Sequence, residues 1–170
     1  FEVSKTALRL NARDPFGWVA LSRAHLLRSE LEAAVVAADN AIALNPNLAL
    51  AHFARAHTLW HAGRPQEAVV SHDEAIRLSP LDPVMSSFLA SKSIALVLLG
   101  QYEEAIAVSR QSQQQATSTI FSHLGEISAL GQLGRSGESE VAIGRARLKK
   151  PDVSIAYVDQ TLPISEPHCR

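Results

Sequence analysis

Small and apolar residues recur along this chain with a period of 34 residues. The pattern is first complete between Asp14 and Pro46, and its landmarks return one period later. A fixed period of this size indicates stacked copies of one supersecondary unit. The landmark pairs are Trp18 and His52, Ser29 and Gly63, Ala34 and Ala68, Ala41 and Ala75, Leu44 and Leu78, and Pro46 and Pro80.

Each copy of the pattern predicts two short helices joined by a turn. In the first copy, Asp14 offers a carboxylate that caps free backbone N–H groups, and Pro15 suits the first helical turn. Ala34, Ala38 and Ala41 follow at spacings of four and three, a stripe that lets a neighbouring helix approach closely. The predicted helices cover residues 15–27, 31–44, 48–62, 66–78, 83–99, 102–115, 119–133 and 137–149, with no sheet.

The third copy is three residues longer, because Gly63 and its equivalent Gly100 are 37 residues apart. The dipeptide Asp82-Pro83 repeats Asp14-Pro15, so we expect the insertion to add one turn at the start of helix 83–99. The following helix ends in RQSQQQ, which has little apolar surface. We expect that end to fray or to face solvent.

The two ends of the chain predict further helices. Val3–Leu10 matches the second helix of an earlier copy whose partner would lie upstream, and the absence of an initiator methionine suggests a piece of a longer protein. Val153–Thr161 predicts a short helix that covers the last copy, followed by a tail. Glycines at 125, 131 and 144 fall inside predicted helices, where each costs about 1 kcal/mol against alanine, so this end should be the softest.

Composition narrows the function classes. The net charge of -1 offers no electrostatic footprint for nucleic acid or an anionic membrane, so neither is an expected partner. Apolar runs as long as Ile94–Leu99, which no other run exceeds, are far too short to span a bilayer. The one cysteine, Cys169, excludes an internal disulfide and fits a reducing compartment, so the expected location is the cytoplasm.

No constellation of residues predicts chemistry. His57 and His61 have the spacing of metal ligands on one helix face, but no glutamate lies between them and no third acidic ligand is near in sequence. The stretch Gly134–Glu138, GRSGE, lacks the second glycine and the strand of a nucleophile elbow. No phosphate-binding glycine motif occurs. We therefore predict no catalytic residue, no metal, no cofactor and no enzymatic activity.

The landmarks resemble those of the tetratricopeptide repeat (TPR). The second copy is nearest to the family pattern, with Gly63, Glu67-Ala68, Ala75 and Pro80 in place; Ser29, Thr117 and Ser139 are departures. The resemblance implies an all-α fold, a right-handed α-solenoid of four repeats with an extra N-terminal helix and a short C-terminal capping helix. The implied divisions are 1–13 for the earlier helix and connector, 14–47, 48–81, 82–118 and 119–151 for the repeats, and 152–170 for the cap and tail.

In this family the first helices of successive repeats line a concave groove, which implies where a partner would bind. Phe53, Trp60 and Arg23 would give it an aromatic and cationic surface; alternatively, Trp60 packs between repeats. Because histidines titrate near neutrality, binding of an acidic peptide should strengthen as the pH falls from about 7.5 to 6. The implied groove residues are Phe16, Val19, Arg23, Phe53, His57, Trp60, His61, Ser87, Ser91 and Ile94.

Two stretches carry a finer resemblance: IALNPNLALAHFARAHTLWHAGRPQEAVVSHDEAIRLSPLDP and LGQYEEAI. They resemble the C-terminal repeat region of bacterial multidomain regulators that carry a nucleotide cyclase or a winged-helix domain upstream. This implies a regulatory module that binds a peptide or protein in its groove. The alternative is a homo-oligomerisation scaffold that pairs identical chains through the exposed face of Val3–Leu10.

Overall fold

The computed structural model describes residues 1–153, and this part of the chain consists of nine α-helices without a strand. It confirms the all-α helical-repeat class and places the helices close to the predicted ranges. The helices are α1 (Glu2–Leu10), α2 (Pro15–Leu26), α3 (Leu31–Leu44), α4 (Ala49–His61), α5 (Pro65–Leu78), α6 (Met85–Leu98), α7 (Tyr102–Gln113), α8 (Phe121–Gln132) and α9 (Ser136–Lys149).

The helices form two compact units, one over residues 1–82 with α1–α5 and one that begins at residue 83 with α6–α9. In the first unit α2 pairs with α3 and α4 with α5, while α3 also packs on α4. In the second unit α6 pairs with α7 and α8 with α9, while α7 also packs on α8. Each unit therefore repeats one arrangement of paired antiparallel helices, as the sequence period indicates.

Local sequence determines how these helices begin and end. The Asp14 carboxylate accepts a hydrogen bond from the backbone N–H of Phe16 at 3.0 Å, and Pro15 is the first residue of α2. Gly63 ends the turn after α4 in the left-handed region, with φ of 71°. Ser29 takes the equivalent position after α2 with φ of 58°, a conformation that costs a residue with a Cβ atom about 1–2 kcal/mol.

The core of the first unit is built from small side chains. Ala34, Ala38 and Ala41 of α3 have no exposed surface, which confirms the predicted stripe of close approach. Val19, Ala38, Ala41, Ala51 and Ala54 form one buried cluster where α2, α3 and α4 meet. Alanine at the contact lets the helix backbones come close enough to exclude water.

The prediction of an extra helical turn in the third copy is wrong. Helix α6 has 14 residues against 13 in α4, because Pro83 and Val84 form a turn ahead of it. The Pro83 carbonyl accepts a hydrogen bond from the Thr117 hydroxyl at 3.2 Å. Most of the insertion thus lengthens the connector, and a threonine where the repeat pattern has proline holds that connector in place.

The end of α7 was expected to fray or to face solvent, and Arg110, Gln111 and Gln114 are indeed exposed, while Ser112 and Gln113 make contacts across the helix pair. Ser112 has no exposed surface and donates a hydrogen bond to the Ser86 carbonyl at 2.7 Å. Gln113 contacts the carboxylate of Glu126 on α8. Polar residues pack here because their hydrogen bonds are made across the helix pair rather than to water.

Gly125 of α8 faces Ser93 of α6 at close range. A Cβ atom at this position would sit 2.7 Å from the Ser93 Cβ, nearer than real carbon atoms approach. Gly131 and Gly144 have open space around the same position. These three glycines therefore differ, because packing requires glycine at position 125 but not at positions 131 and 144.

The predicted capping helix, Val153–Thr161, lies outside the described residues except for Val153, which is buried. Cys169 lies outside them as well. Within the described part, no helix has both the length and the apolar character needed to cross a bilayer.

Candidate functional site

The ten predicted groove residues lie on the first helices of both units, and they differ widely in exposure. Three side chains are exposed: Phe16, Arg23 and Ser87. Two are half-buried: His57 and His61. Five are buried: Val19, Phe53, Trp60, Ser91 and Ile94. The buried five belong to the helical core of their units, and their role in partner binding stays a prediction.

In the first unit, the exposed surface of α2 is a stripe along one face of the helix. Phe16, Ala20, Arg23 and Leu27 are exposed and follow one another at spacings of four, three and four. These spacings place all four side chains on one side of a helix. Phe16 is 57% exposed and Leu27 is 89% exposed, so two large apolar side chains lie on the same exposed face. Ala20 and Leu27 were absent from the predicted groove, although the same spacing rule would have found them.

The stripe on α2 carries one cation, Arg23. No carboxylate lies within ion-pair distance of Arg23 in the part of the chain that the structure describes. Arg55 and Arg64 of the same unit are both paired, with Asp39 at 2.8 Å and Glu67 at 2.7 Å. Arg23 therefore offers its full set of hydrogen-bond donors to a ligand.

Aromatic rings on α4 stack in a row beside this stripe. The Trp60 ring lies 3.7 Å from the His61 ring between centroids, with an interplanar angle of 25°. The His57 ring lies 5.5 Å from both Trp60 and Phe53. Trp60 is only 5% exposed, which favours the alternative that its ring packs inside the protein. His57 and His61 are half-buried, so they are the members of this ring cluster that reach solvent.

Burial keeps both histidines uncharged near neutral pH. It lowers the pKa of His57 to about 3, with further lowering from the charges of His61 and Arg23. It lowers the pKa of His61 to about 4. The expectation that these groups gain charge between pH 7.5 and 6 is therefore wrong, because the desolvation penalty of the imidazolium exceeds any gain. Arg23 is carried by α2, which packs on α4, and its charge contributes to the lowered pKa of His57.

The second unit contains a polar centre that sequence reasoning missed. Glu126 of α8 has no exposed surface, and its carboxylate accepts hydrogen bonds from Arg110, Gln113 and Arg145 at 2.7–2.8 Å. Burial raises the pKa of Glu126, but the hydrogen bonds from these three residues outweigh burial and hold the pKa below its usual range. The group joins α7, α8 and α9, so its role is structural.

The position of Glu126 in the repeat explains why this centre exists. Arg55 of α4 holds the equivalent position two repeats earlier. Its guanidinium donates hydrogen bonds to Asp39 of α3 and Ser71 of α5. In both units a charged residue on a first helix thus ties together the two second helices beside it. The sign is reversed in the second unit, with a central carboxylate and outer arginines.

No group of three or more histidine, cysteine, aspartate and glutamate residues within residues 1–153 is arranged to hold a metal ion. The exposed face of α2 and the adjoining rings of α4 therefore present apolar side chains, one arginine and two neutral histidines. Such a surface can bind by contact area and by directional hydrogen bonds.

No protein-family model and no curated protein matches the chain. Solved structures do match. YrrB, described as a TPR protein with an unusual peptide-binding site, has a TM-score of 0.68 and 17% identity over 87% of this chain and 75% of its own. TTC0263 of Thermus thermophilus, a thermophilic TPR protein, has a TM-score of 0.76 and 17% identity. The match covers 94% of this chain and 85% of TTC0263. PilW, a type IV pilus biogenesis factor, has a TM-score of 0.82 and 15% identity. The match covers 95% of this chain and 76% of PilW.

At this level of identity the likeness establishes the fold, which is that of tetratricopeptide-repeat proteins. It assigns no function to this chain, because one fold serves many functions and the site decides between them.

Proposed function

We propose that this chain is a non-catalytic interaction module that binds a peptide or protein segment bearing an acidic group along the exposed face of α2. The observation that carries the proposal is Arg23, exposed and without a carboxylate partner among the described residues, between the exposed apolar side chains of Phe16 and Leu27. The similarly folded YrrB is described as having a peptide-binding site, which supports the proposal.

The face of α2 suits such a segment physically. Phe16, Ala20 and Leu27 provide apolar area, and each square ångström removed from water contributes about 25 cal/mol before the costs of association. Arg23 provides a bidentate contact that carboxylates accept in one geometry. The neutral rings of His57 and His61 lie beside it and offer hydrogen bonds without added charge. A helical ligand would match the spacing of the stripe.

Selection of peptides by display tests the proposal without a known partner. We expect peptides selected on the parent chain to be enriched in aspartate or glutamate next to leucine or phenylalanine. Arg23→Glu and Leu27→Ser should each weaken binding of a selected peptide about tenfold, a loss of roughly 1.4 kcal/mol.

Two matched control variants lie on α9 of the second unit. Arg147→Glu changes the charge by the same amount, and Leu148, 86% exposed, can be changed to serine as Leu27 is. Both controls should bind like the parent. Equal binding by Arg23→Glu, Leu27→Ser and the controls would refute the proposal.

The finer proposal is that the module belongs to a larger cytoplasmic bacterial regulator, with a nucleotide cyclase or winged-helix domain upstream. It rests on the resemblance of the stretch from Ile42 to Pro83 to the repeat regions of such proteins. Determining the coding sequence upstream of Phe1 tests this proposal. If the same reading frame encodes neither of the two domains, the proposal is contradicted.

Self-association is a second candidate function, favoured by the face of α1. Val3 and Leu10 are 83% and 85% exposed, and Ala7 between them is exposed too. Pairing these stripes in two copies would remove apolar surface from water. Sedimentation velocity at rising concentration should then show a dimer that Val3→Ser and Leu10→Ser abolish; monomer throughout would exclude this function.

A further inference from the structure

A cleft of about 590 Å³ lies between α1 and α2. Its apolar lining comes from Leu8 of α1 and from Trp18 and Leu21 of α2. The Trp18 indole donates a hydrogen bond to the Ala12 carbonyl at 2.9 Å, which fixes the ring in the lining. Trp18 and Leu21 lie on the side of α2 opposite Arg23, so this cleft is separate from the face of the proposed function.

The next repeat shows what is unusual about this cleft. One period later, Asp39 and Arg55 take the positions of Lys5 and Leu21, and they line a cleft of about 600 Å³. There the guanidinium of Arg55 pairs with the Asp39 carboxylate at 2.8 Å, so the charges are satisfied within the fold. In the first cleft Leu21 takes the position of Arg55, so this position supplies no charge for an ion pair. Lys5, at the position of Asp39, makes its contacts with other groups.

Two cations border the first cleft. The Lys5 amine lies 4.0 Å from the centre of the Phe1 ring, and the Arg9 guanidinium donates a hydrogen bond to the Thr6 hydroxyl at 2.8 Å. Neither cation has a carboxylate within ion-pair distance among residues 1–153. Glu2 is the one acidic residue in the cleft lining, so the lining carries a net positive charge.

We propose that the α1–α2 cleft is a second docking site, whose ligand is an acidic amphipathic segment of a partner protein. An apolar side chain of that segment enters between Leu8, Trp18 and Leu21. A carboxylate one helical turn away pairs with Lys5 and Arg9. The charge complementarity and the apolar lining together select this ligand, because a basic segment would leave both cations opposed.

The two tryptophans of the chain make the test specific, since Trp18 lines the cleft and Trp60 lies in the α4 ring cluster. The full chain is labelled with 5-fluorotryptophan, and fluorine NMR resolves the two indoles, assigned with Trp18→Phe. The probe is a synthetic helical peptide with leucines on one face and glutamates beside them. We expect the Trp18 resonance to shift with this probe and not with its lysine-for-glutamate counterpart.

Charge reversal supplies the matched variants. Lys5→Glu and Arg9→Glu together should weaken the Trp18 response roughly tenfold, because two exposed attractions become repulsions. Arg147→Glu with Lys149→Glu changes the total charge equally at exposed sites of the second unit and should leave the response unchanged. All four positions are exposed, so the variants keep the helical fold, which circular dichroism checks.

Three results would overturn the inference. The Trp18 resonance could stay unmoved at about millimolar probe, or shift equally with the lysine peptide and the glutamate peptide. The third is that the variant with Lys5→Glu and Arg9→Glu binds the probe as the parent does. A Trp18 shift with phosphatidylglycerol vesicles but not with the peptide would overturn it in favour of a membrane surface. Arg23→Glu should not affect the Trp18 response, so failure of the proposed function and failure of this inference are separately visible.

Discussion

Replacing Gly125 by alanine should destabilise the second unit, although alanine is the better helix former. The new Cβ would lie 2.7 Å from the Ser93 Cβ, whereas carbon atoms pack at about 3.5–4.0 Å. Ser93 has no exposed surface, and its hydroxyl is bonded to the Ala90 carbonyl at 2.7 Å, so its side chain cannot turn away. Helices α6 and α8 must therefore separate at this point.

The magnitude follows from two opposing effects. Overpacking of a close contact costs about 1–3 kcal/mol and can cost more when backbone must move. Exchange of glycine for alanine inside a helix returns about 1 kcal/mol. We expect a net loss of about 1–2 kcal/mol in the free energy of unfolding.

Urea unfolding followed by circular dichroism measures this change, and Gly144→Ala is the matched control. Gly144 lies inside α9 with nothing within 4 Å of the added atom, so alanine should stabilise the protein there by about 0.5–1 kcal/mol. Ser93→Gly should rescue part of the loss in the Gly125→Ala background. The reasoning is refuted if Gly125→Ala stabilises the chain as Gly144→Ala does.

Three further outcomes can be measured. Ser29→Gly should raise the free energy of unfolding by about 0.5–1 kcal/mol, because the φ of 58° at Ser29 is strained for serine. Gly63→Ser should lower the free energy of unfolding by a similar amount. Equal stability of both variants and the parent would contradict this reasoning. The pKa values of His57 and His61 are lowered to about 3 and about 4, so the unfolded chain binds more protons than the folded chain. The free energy of unfolding should therefore fall as the pH drops from about 6.5 towards 4. Changing both histidines to glutamine should flatten this pH dependence. For the same reason, binding on the α2 face should change less than about twofold between pH 7.5 and 6, and a clear strengthening would show that the histidines are charged in the complex.

Much of the fold could be predicted because its signals are local. The 34-residue period, the Asp14 cap with Pro15, and the alanines at 34, 38 and 41 act within a few turns of one helix or between adjacent helices. The insertion in the third copy was misplaced because its outcome depends on a distant residue. Thr117 holds the Pro83 carbonyl from 34 residues away, and sequence reasoning about the dipeptide itself does not include that contact.

The candidate site was less predictable, because sequence spacing tells which residues share a helix face and not which face is covered. Phe53 and Trp60 share a face with the half-buried histidines, yet neighbouring packing covers the two large rings. Leu27, by contrast, directly follows α2 and is 89% exposed.

The sequence by itself determined the type, number and approximate ends of the described helices, since hydrophobic period, caps and turn residues act over short separations. Only the tertiary structure decided which charges remain available to a ligand. Glu126 draws Arg110 and Arg145 from 16 and 19 residues away, and Arg55 draws Asp39 from 16 residues away. Arg23, Lys5 and Arg9 receive no carboxylate partner within residues 1–153. The reason is physical: ion pairs between helices depend on which helices meet and at what height, and a single-helix pattern does not contain that information.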